Sequence, residues 1–160
     1  MRRHTALLGL WLLLALLAAS PAARAQSDVA IVAHPGVPVN DLSFAEVRKI
    51  LLGDRQFWSS NLRVTLLVHA PGAREREVIL KTVYQMTEAQ FRQYWIGKVF
   101  RAEAAGGPRI VYSNEEATEM VAAVPGSIAF IDAAKALKGL KVLKIDGLSP
   151  GEKGYRLKQP

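Results

Sequence analysis

The chain has 160 residues, half of them hydrophobic, with no cysteine and a formal net charge of +7. The lack of cysteine excludes disulfides, zinc–thiolate sites, a cysteine nucleophile and a lipid anchor attached to cysteine. The basic residues are scattered and are not interleaved with aromatic side chains, so the composition argues against nucleic-acid binding.

The first 25 residues have the order of parts of a secretory signal peptide. Arg2 and Arg3 precede an apolar run from Leu7 to Ala19, and Ala23-Arg24-Ala25 is a small-x-small cleavage site. The run is shorter than the ~20 residues that a membrane-spanning helix needs. We therefore expect cleavage after Ala25, export to the periplasm or the exterior, and no membrane insertion of the remaining chain. Cleavage would lower the formal net charge from +7 to +4.

The rest of the chain alternates short apolar runs with amphipathic segments, a pattern typical of an α/β domain. Several runs are almost continuously apolar, which indicates strands covered on both faces. The predicted strands are Val29–Ala33, Val64–Val68, Ser127–Ile131 and Val142–Ile145. Residues 26–148 are predicted to form the domain. Residues 149–160, rich in proline, glycine and charge, are predicted to be a flexible tail.

Three predicted helix starts carry a capping box, in which Ser or Thr is followed three residues later by Glu or Gln. The pairs are Ser43/Glu46, Thr87/Gln90 and Ser113/Glu116. The first of these helices is predicted to end at Gly53, because glycine is the residue type favoured just after a helix. A fourth helix is predicted from Arg74 to Val83.

No constellation of residues indicates an enzyme or a metal site. His34 and His69 remain after cleavage, and neither belongs to a spacing that would bring several metal ligands together. Pro125-Gly126-Ser127 predicts a turn entering a strand rather than the exposed elbow of a serine nucleophile. The expectation is a non-enzymatic protein with no metal and no cofactor.

One connection, His69-Ala70-Pro71-Gly72-Ala73-Arg74, indicates a ligand. It joins a predicted strand end to a predicted helix start, and free N–H groups at such a point can bind an anion. A plain strand–helix connection explains the same residues, and on these residues alone it is the favoured interpretation.

The order of motifs along residues 28–147 resembles the phosphate-binding proteins of ABC transporters. The resembling segments are Val29 to Val39, Leu42 to Gly53 followed by Phe57-Trp58, Val64 to Val68, Phe91 to Phe100 with Tyr94-Trp95, and Asn114 to Phe130. The resemblance implies one lobe of the type II periplasmic-binding-protein-like fold, with a mixed sheet and helices on both faces. It also implies a phosphate-like oxyanion as ligand, with His69, Gly72, Ala73 and Arg74 as the ligand-binding residues.

Two departures separate this sequence from the transport proteins. Those proteins have two lobes that close on the ligand, whereas this chain resembles one lobe. Their second-lobe phosphate loop has arginine, then two or three residues, then Ser-Gly-Thr. The corresponding positions here are occupied by His69, Ala73, Arg74 and Glu75. Two hydroxyl donors are lost, and a carboxylate stands where an anion would bind. The alternative function is therefore a ligand-free interaction module that meets a protein partner, or a second copy, through the former cleft face.

Overall fold

A computed structural model describes residues 27–59, 61–136 and 139–158, so the predicted signal peptide lies outside the described residues. The described chain is organised around a six-stranded sheet with strand order β2-β6-β1-β5-β3-β4. The strands are β1 (Val29–Ala33), β2 (Asp41–Leu42), β3 (Thr65–His69), β4 (Arg109–Val111), β5 (Ser127–Asp132) and β6 (Lys141–Ile145).

Within these described ranges, four α-helices accompany the sheet: α1 (Phe44–Leu51), α2 (Arg74–Ile79), α3 (Glu88–Phe100) and α4 (Asn114–Ala123). Helix α2 continues as a π-helical segment over Leu80–Tyr84, and a 3-10 turn (Ala133–Lys135) follows β5. The four predicted strands and four predicted helices are therefore confirmed. The sequence did not reveal β2 and β4, because two or three residues are too few to display an alternating pattern.

The sheet is mixed, as the resemblance implied. Strand β3 runs parallel to β4 and β5, whereas β1 is antiparallel to both β5 and β6. The carboxyl ends of β3, β4 and β5 therefore meet at one edge of the sheet, which we call the carboxyl edge. The opposite end of these three strands is the amino edge. Because Val29 pairs with Asp132, the start of β1 also lies at the carboxyl edge.

Helices cover both faces of the sheet. All five side chains of β1 are fully buried, and they alternate between two hydrophobic clusters. Val29, Ile31 and Ala33 belong to the larger cluster, which includes side chains from α1, α2 and α3. Ala30 and Val32 belong to the smaller cluster, which is covered by α4. Burial of each large apolar side chain contributes about 1.5–3 kcal/mol, so removing the cover of either face would be costly.

The first two predicted capping boxes are present in full. At the third, the Ser113 hydroxyl accepts a hydrogen bond from the Glu116 N–H at 3.0 Å. The Glu116 carboxylate, however, accepts from the Tyr112 N–H at 2.7 Å rather than from Ser113. This helix start is therefore capped by the hydroxyl alone, and the carboxylate holds the end of β4 instead.

The prediction of a flexible tail was wrong over residues 149–158. Tyr155 is 3% exposed and Leu157 is fully buried, and both belong to the larger hydrophobic cluster. The Val29 N–H donates to the Leu157 carbonyl at 2.9 Å, and the Tyr155 hydroxyl donates to the Val29 carbonyl at 2.9 Å. Glycine and proline in this segment shape turns, while two apolar side chains anchor it against β1.

The predicted turn at Pro125-Gly126-Ser127 is present and leads into β5, and it is closely packed. Gly126 has a φ of +76°, in the left-handed region that favours glycine. A Cβ atom there would overlap the carbonyl oxygen of Arg63. The Gly126 carbonyl in turn accepts a hydrogen bond from the Trp58 indole N–H at 2.9 Å. Gly126 therefore holds the chain before β3 against the start of β5.

Replacement of Gly126 by alanine should destabilise the protein by about 3 kcal/mol or more. The left-handed conformation alone costs a non-glycine residue about 1–2 kcal/mol, and the collision with Arg63 adds to this cost. Gly151→Ala is the matched control, since Gly151 has a φ of +89° and no atom within 4 Å of an added Cβ. Urea unfolding of both variants measures the difference. Equal losses would mean that close packing at Gly126 does not constrain the fold.

Candidate functional site

The predicted ligand-binding connection lies at the carboxyl edge, between β3 and α2. β3 ends at His69, Gly72 turns the chain with a φ of +88°, and α2 begins at Arg74. Ala73 is the N-cap residue and its side chain makes no hydrogen bond to the helix. The other three α-helices each have a Ser or Thr hydroxyl at this position. Among the α-helices of the described residues, α2 is thus the one whose first turn has no side-chain acceptor.

Arg74 is held across the carboxyl edge by main-chain and carboxylate oxygens. Its Nη1 donates to the Ser27 carbonyl at 2.8 Å, and its Nη2 lies 3.4 Å from an Asp132 carboxylate oxygen. Its side chain is 19% exposed. The guanidinium is therefore positioned near the connection, and part of its charge is balanced by Asp132.

His69 is buried beneath the connection, with 3% of its surface exposed. Its Nε2 has no hydrogen-bond partner in the described part of the chain. Burial lowers the pKa of the imidazole below its usual value, although Glu75, Glu116 and a hydrogen bond with the Ser113 backbone act in the opposite direction. The ring is therefore neutral at neutral pH. It offers a polar atom to this site but no positive charge.

Glu75 is 7% exposed and is linked to the ends of two other elements. Its carboxylate accepts a hydrogen bond from Asn114 Nδ2 at 3.0 Å. The side-chain oxygen of Asn114 accepts from the Asp132 N–H at 3.0 Å. Helix α2, the start of α4 and the end of β5 are thus connected by one hydrogen-bonded chain. This arrangement also brings the carboxylates of Glu75 and Asp132 to the same edge, where they oppose anion binding.

The structure brings the four predicted residues together at one edge of the sheet, and it adds three that the sequence analysis missed: Ser27, Asn114 and Asp132. Two of these residues could have been identified from their positions in the sequence. Asp132 directly follows the predicted strand Ser127–Ile131, and Asn114 directly follows a predicted helix cap. In α/β sheets the residues just after strands face ligands. Ser27 had no such signal, because its position depends on the antiparallel pairing of β1.

Among the described residues, no helix combines the length and the apolar character needed to cross a membrane. The same part of the chain contains no group of three or more His, Asp or Glu side chains that could hold a metal ion.

The lowered pKa of His69 predicts a pH-dependent stability. The unfolded chain, with a histidine pKa of about 6.5, binds a proton that the folded chain resists, so stability is lost as the pH falls through about 6.5. The maximum slope is about 1.4 kcal/mol per pH unit. His69→Gln should flatten this slope in unfolding experiments between about pH 7.5 and 5.5. His34→Gln is the control that retains His69, and an unchanged slope in the His69 variant would contradict the assignment.

No family model matches the sequence, and no curated protein matches it. The structure, in contrast, is similar to solved phosphate-binding or phosphate-transport proteins, among them the following three. One is a Clostridium perfringens protein solved with bound phosphate and assigned to the phosphate ABC transporter substrate-binding proteins (TM-score 0.63, 16% identity, 78% of this chain and 47% of that one). The second is PstS of Borrelia burgdorferi (TM-score 0.62, 18% identity, 79% of this chain and 50% of that one). The third is an ABC-type phosphate transport receptor of Vibrio cholerae (TM-score 0.63, 15% identity, 79% of this chain and 49% of that one).

The chain spans about half the length of each of these three proteins. At 15–18% identity, the likeness is one of fold. The mixed sheet with helices on both faces, which the sequence resemblance implied, is thus the periplasmic-binding-protein-like α/β fold of phosphate ABC transporter substrate-binding proteins.

Proposed function

We propose that the protein is exported and acts as a solute-binding-like protein, with a small oxyanion bound at the connection between β3 and α2. The residues proposed to hold the oxyanion are His69, Gly72, Ala73 and Arg74. The observation that carries this proposal is the start of α2, whose first turn has no side-chain cap and lies beside the Arg74 guanidinium. An oxyanion would supply the missing acceptor and would interact favourably with the guanidinium.

The fold supports the same proposal. The carboxyl edge of an open α/β sheet is where ligands of such folds bind. The Clostridium perfringens neighbour contains bound phosphate. Here, Gly72 has a φ of +88°, in the left-handed region that favours glycine, so the backbone turns with no side chain over the connection.

The local charges predict weak rather than tight binding. The carboxylate of Asp132 already interacts with Arg74, and that of Glu75 is 7% exposed nearby. An incoming anion must compete with Asp132 for the guanidinium, and repulsion from both carboxylates grows with the charge of the ligand. We therefore expect singly charged oxyanions to bind better than doubly charged ones.

Arg74→Ala and Asp132→Asn should change oxyanion binding in opposite directions. The first variant loses the cation, whereas the second keeps the shape of the side chain and removes the competing charge. Thermal unfolding with and without phosphate, sulfate and nitrate measures the effect. Ligand at about 100 times its Kd adds about 2.7 kcal/mol, which raises the Tm of a domain of this size by several degrees.

Arg92→Ala serves as the control for net charge, because Arg92 is an exposed residue of α3. The site assignment fails if Arg74→Ala and Arg92→Ala respond equally to the anions. The proposed function fails if no anion in the panel stabilises the wild-type protein.

Export predicts a defined N terminus. When the full chain is expressed in a bacterium with two membranes, the protein recovered from the periplasmic fraction should begin at Gln26, since the small residues Ala23 and Ala25 mark the cleavage site. Intact-mass analysis of each fraction checks this. Ala25→Leu should slow processing, and recovery of the uncleaved chain from the cytoplasm alone would contradict export.

A further inference from the structure

A cavity of about 350 Å³ lies at the amino edge, opposite to the connection proposed for the oxyanion. It is bounded by the starts of β3 and β4 and by the segments that follow α1 and α3. Its apolar wall is formed by Ile50, Leu66, Trp95 and Ala104. Ligand-binding pockets typically have volumes of about 300–1,000 Å³, so the cavity can hold a small molecule but is far larger than one phosphate ion.

The charged side chains that line this cavity are all cationic. Arg55, Arg63 and Arg109 line it, and no Asp or Glu does so among the described residues. Arg55 lies 3.4 Å from the Glu46 carboxylate. The guanidinium groups of Arg63 and Arg109 make no ion pair or hydrogen bond within the described part of the chain. Two cations without a described counter-charge therefore share one concave surface.

The neighbouring acidic residues do not balance these two arginines. Asp54 is paired with the buried Lys98, and Glu103 is paired with Arg101. Because each nearby carboxylate already has its own cation, the potential in the cavity is positive. Arg63 and Arg109 are both exposed to solvent, and cations that line one concave surface attract an anion to it.

The loop after α3 forms part of the cavity wall. Gly106 and Gly107 line the cavity, and an added Cβ at either position would meet no atom within 4 Å. Packing therefore does not demand glycine here. Their N–H groups donate no hydrogen bond to the described residues. The loop is held in place by Gln56, whose side-chain amide donates to the Glu103 carbonyl at 2.7 Å.

We propose that this cavity is a second binding site, specific for a small organic anion with a carboxylate or phosphate group attached to an apolar body. The anionic group interacts with Arg63, Arg109 and the N–H groups of Gly106 and Gly107. The apolar body packs against Trp95 and its aliphatic neighbours. The site lies at the opposite edge of the sheet from Arg74, so it stands whether or not an oxyanion binds at the β3–α2 connection.

Titration calorimetry of the exported protein with benzoate and phenyl phosphate tests the proposal, and it also distinguishes the two anionic groups. Saturable binding of at least one of them is expected, and phenol and inorganic phosphate should each bind about tenfold or more weakly. The double variant Arg63→Gln/Arg109→Gln should lower the affinity for the aromatic anion about tenfold or more, because two charge-assisted hydrogen bonds are lost. Arg92→Gln/Lys144→Gln, which removes two exposed cations elsewhere, should have little effect.

Two further readouts locate the ligand. Arg74→Ala should leave its affinity unchanged, which separates this site from the proposed oxyanion site. In amide NMR spectra, the signals of the Trp95 indole and of Gly106 and Gly107 should shift on titration, while that of Gly72 should not. The proposal is overturned if neither aromatic anion binds, if the two double variants bind alike, or if the shifts centre on Gly72.

Discussion

Strand β1 is hydrogen-bonded to β5 on one side and to β6 on the other, and this central position fixes how both faces of the sheet are packed. All five side chains of β1 are fully buried, so every backbone group there must find its partner within the protein. Antiparallel pairing with β5 places Val29 beside Asp132 and so brings the chain's first described residues to the carboxyl edge. The same residue, Val29, binds the C-terminal segment through Leu157 and Tyr155. A slip of one residue in this register would exchange the two hydrophobic faces of the strand.

The two edges of the sheet differ in how many of their charged side chains form ion pairs. At the carboxyl edge, Arg74 interacts with Asp132, and Glu75 interacts with Asn114, so polar groups connect β1, β5, α2 and α4 to one another. This network positions a cation near an uncapped helix start, and it also limits the affinity for anions. At the amino edge the nearby carboxylates are paired elsewhere, and the arginines of the cavity have few partners of their own. The charges at the carboxyl edge are therefore largely paired, whereas the amino edge carries arginines without a described counter-charge.

The wall of the amino-edge cavity is stiffened by the way α1 ends. The carbonyl of Leu51 accepts a hydrogen bond from the Tyr84 hydroxyl at 2.6 Å. The carbonyl of Leu52 accepts from the Tyr94 hydroxyl and from Lys98 Nζ, each at 2.7 Å. These donors satisfy carbonyls that a helix end leaves without partners. Because Tyr94 and Lys98 belong to α3, they fix the ends of both helices around the cavity and hold Trp95 in its wall.

Features that depend on residues close together along the chain could be predicted from the amino-acid sequence: the helix starts at Ser43 and Thr87, the four longer strands, and the connection from His69 to Arg74. Apolar periodicity and capping involve residues only a few positions apart, so both can be recognised in the sequence without knowledge of the fold. Features that join residues distant in the sequence became visible in the folded structure alone. The segment around Tyr155 is ordered because β1 offers it a buried surface, the carboxylate of Glu116 turns to β4 instead of completing its box, and Asp132 reaches Arg74 through antiparallel pairing. The grouping of Arg63 with Arg109 likewise arises from the parallel pairing of β3 with β4, since no local pattern relates residues that far apart in the chain.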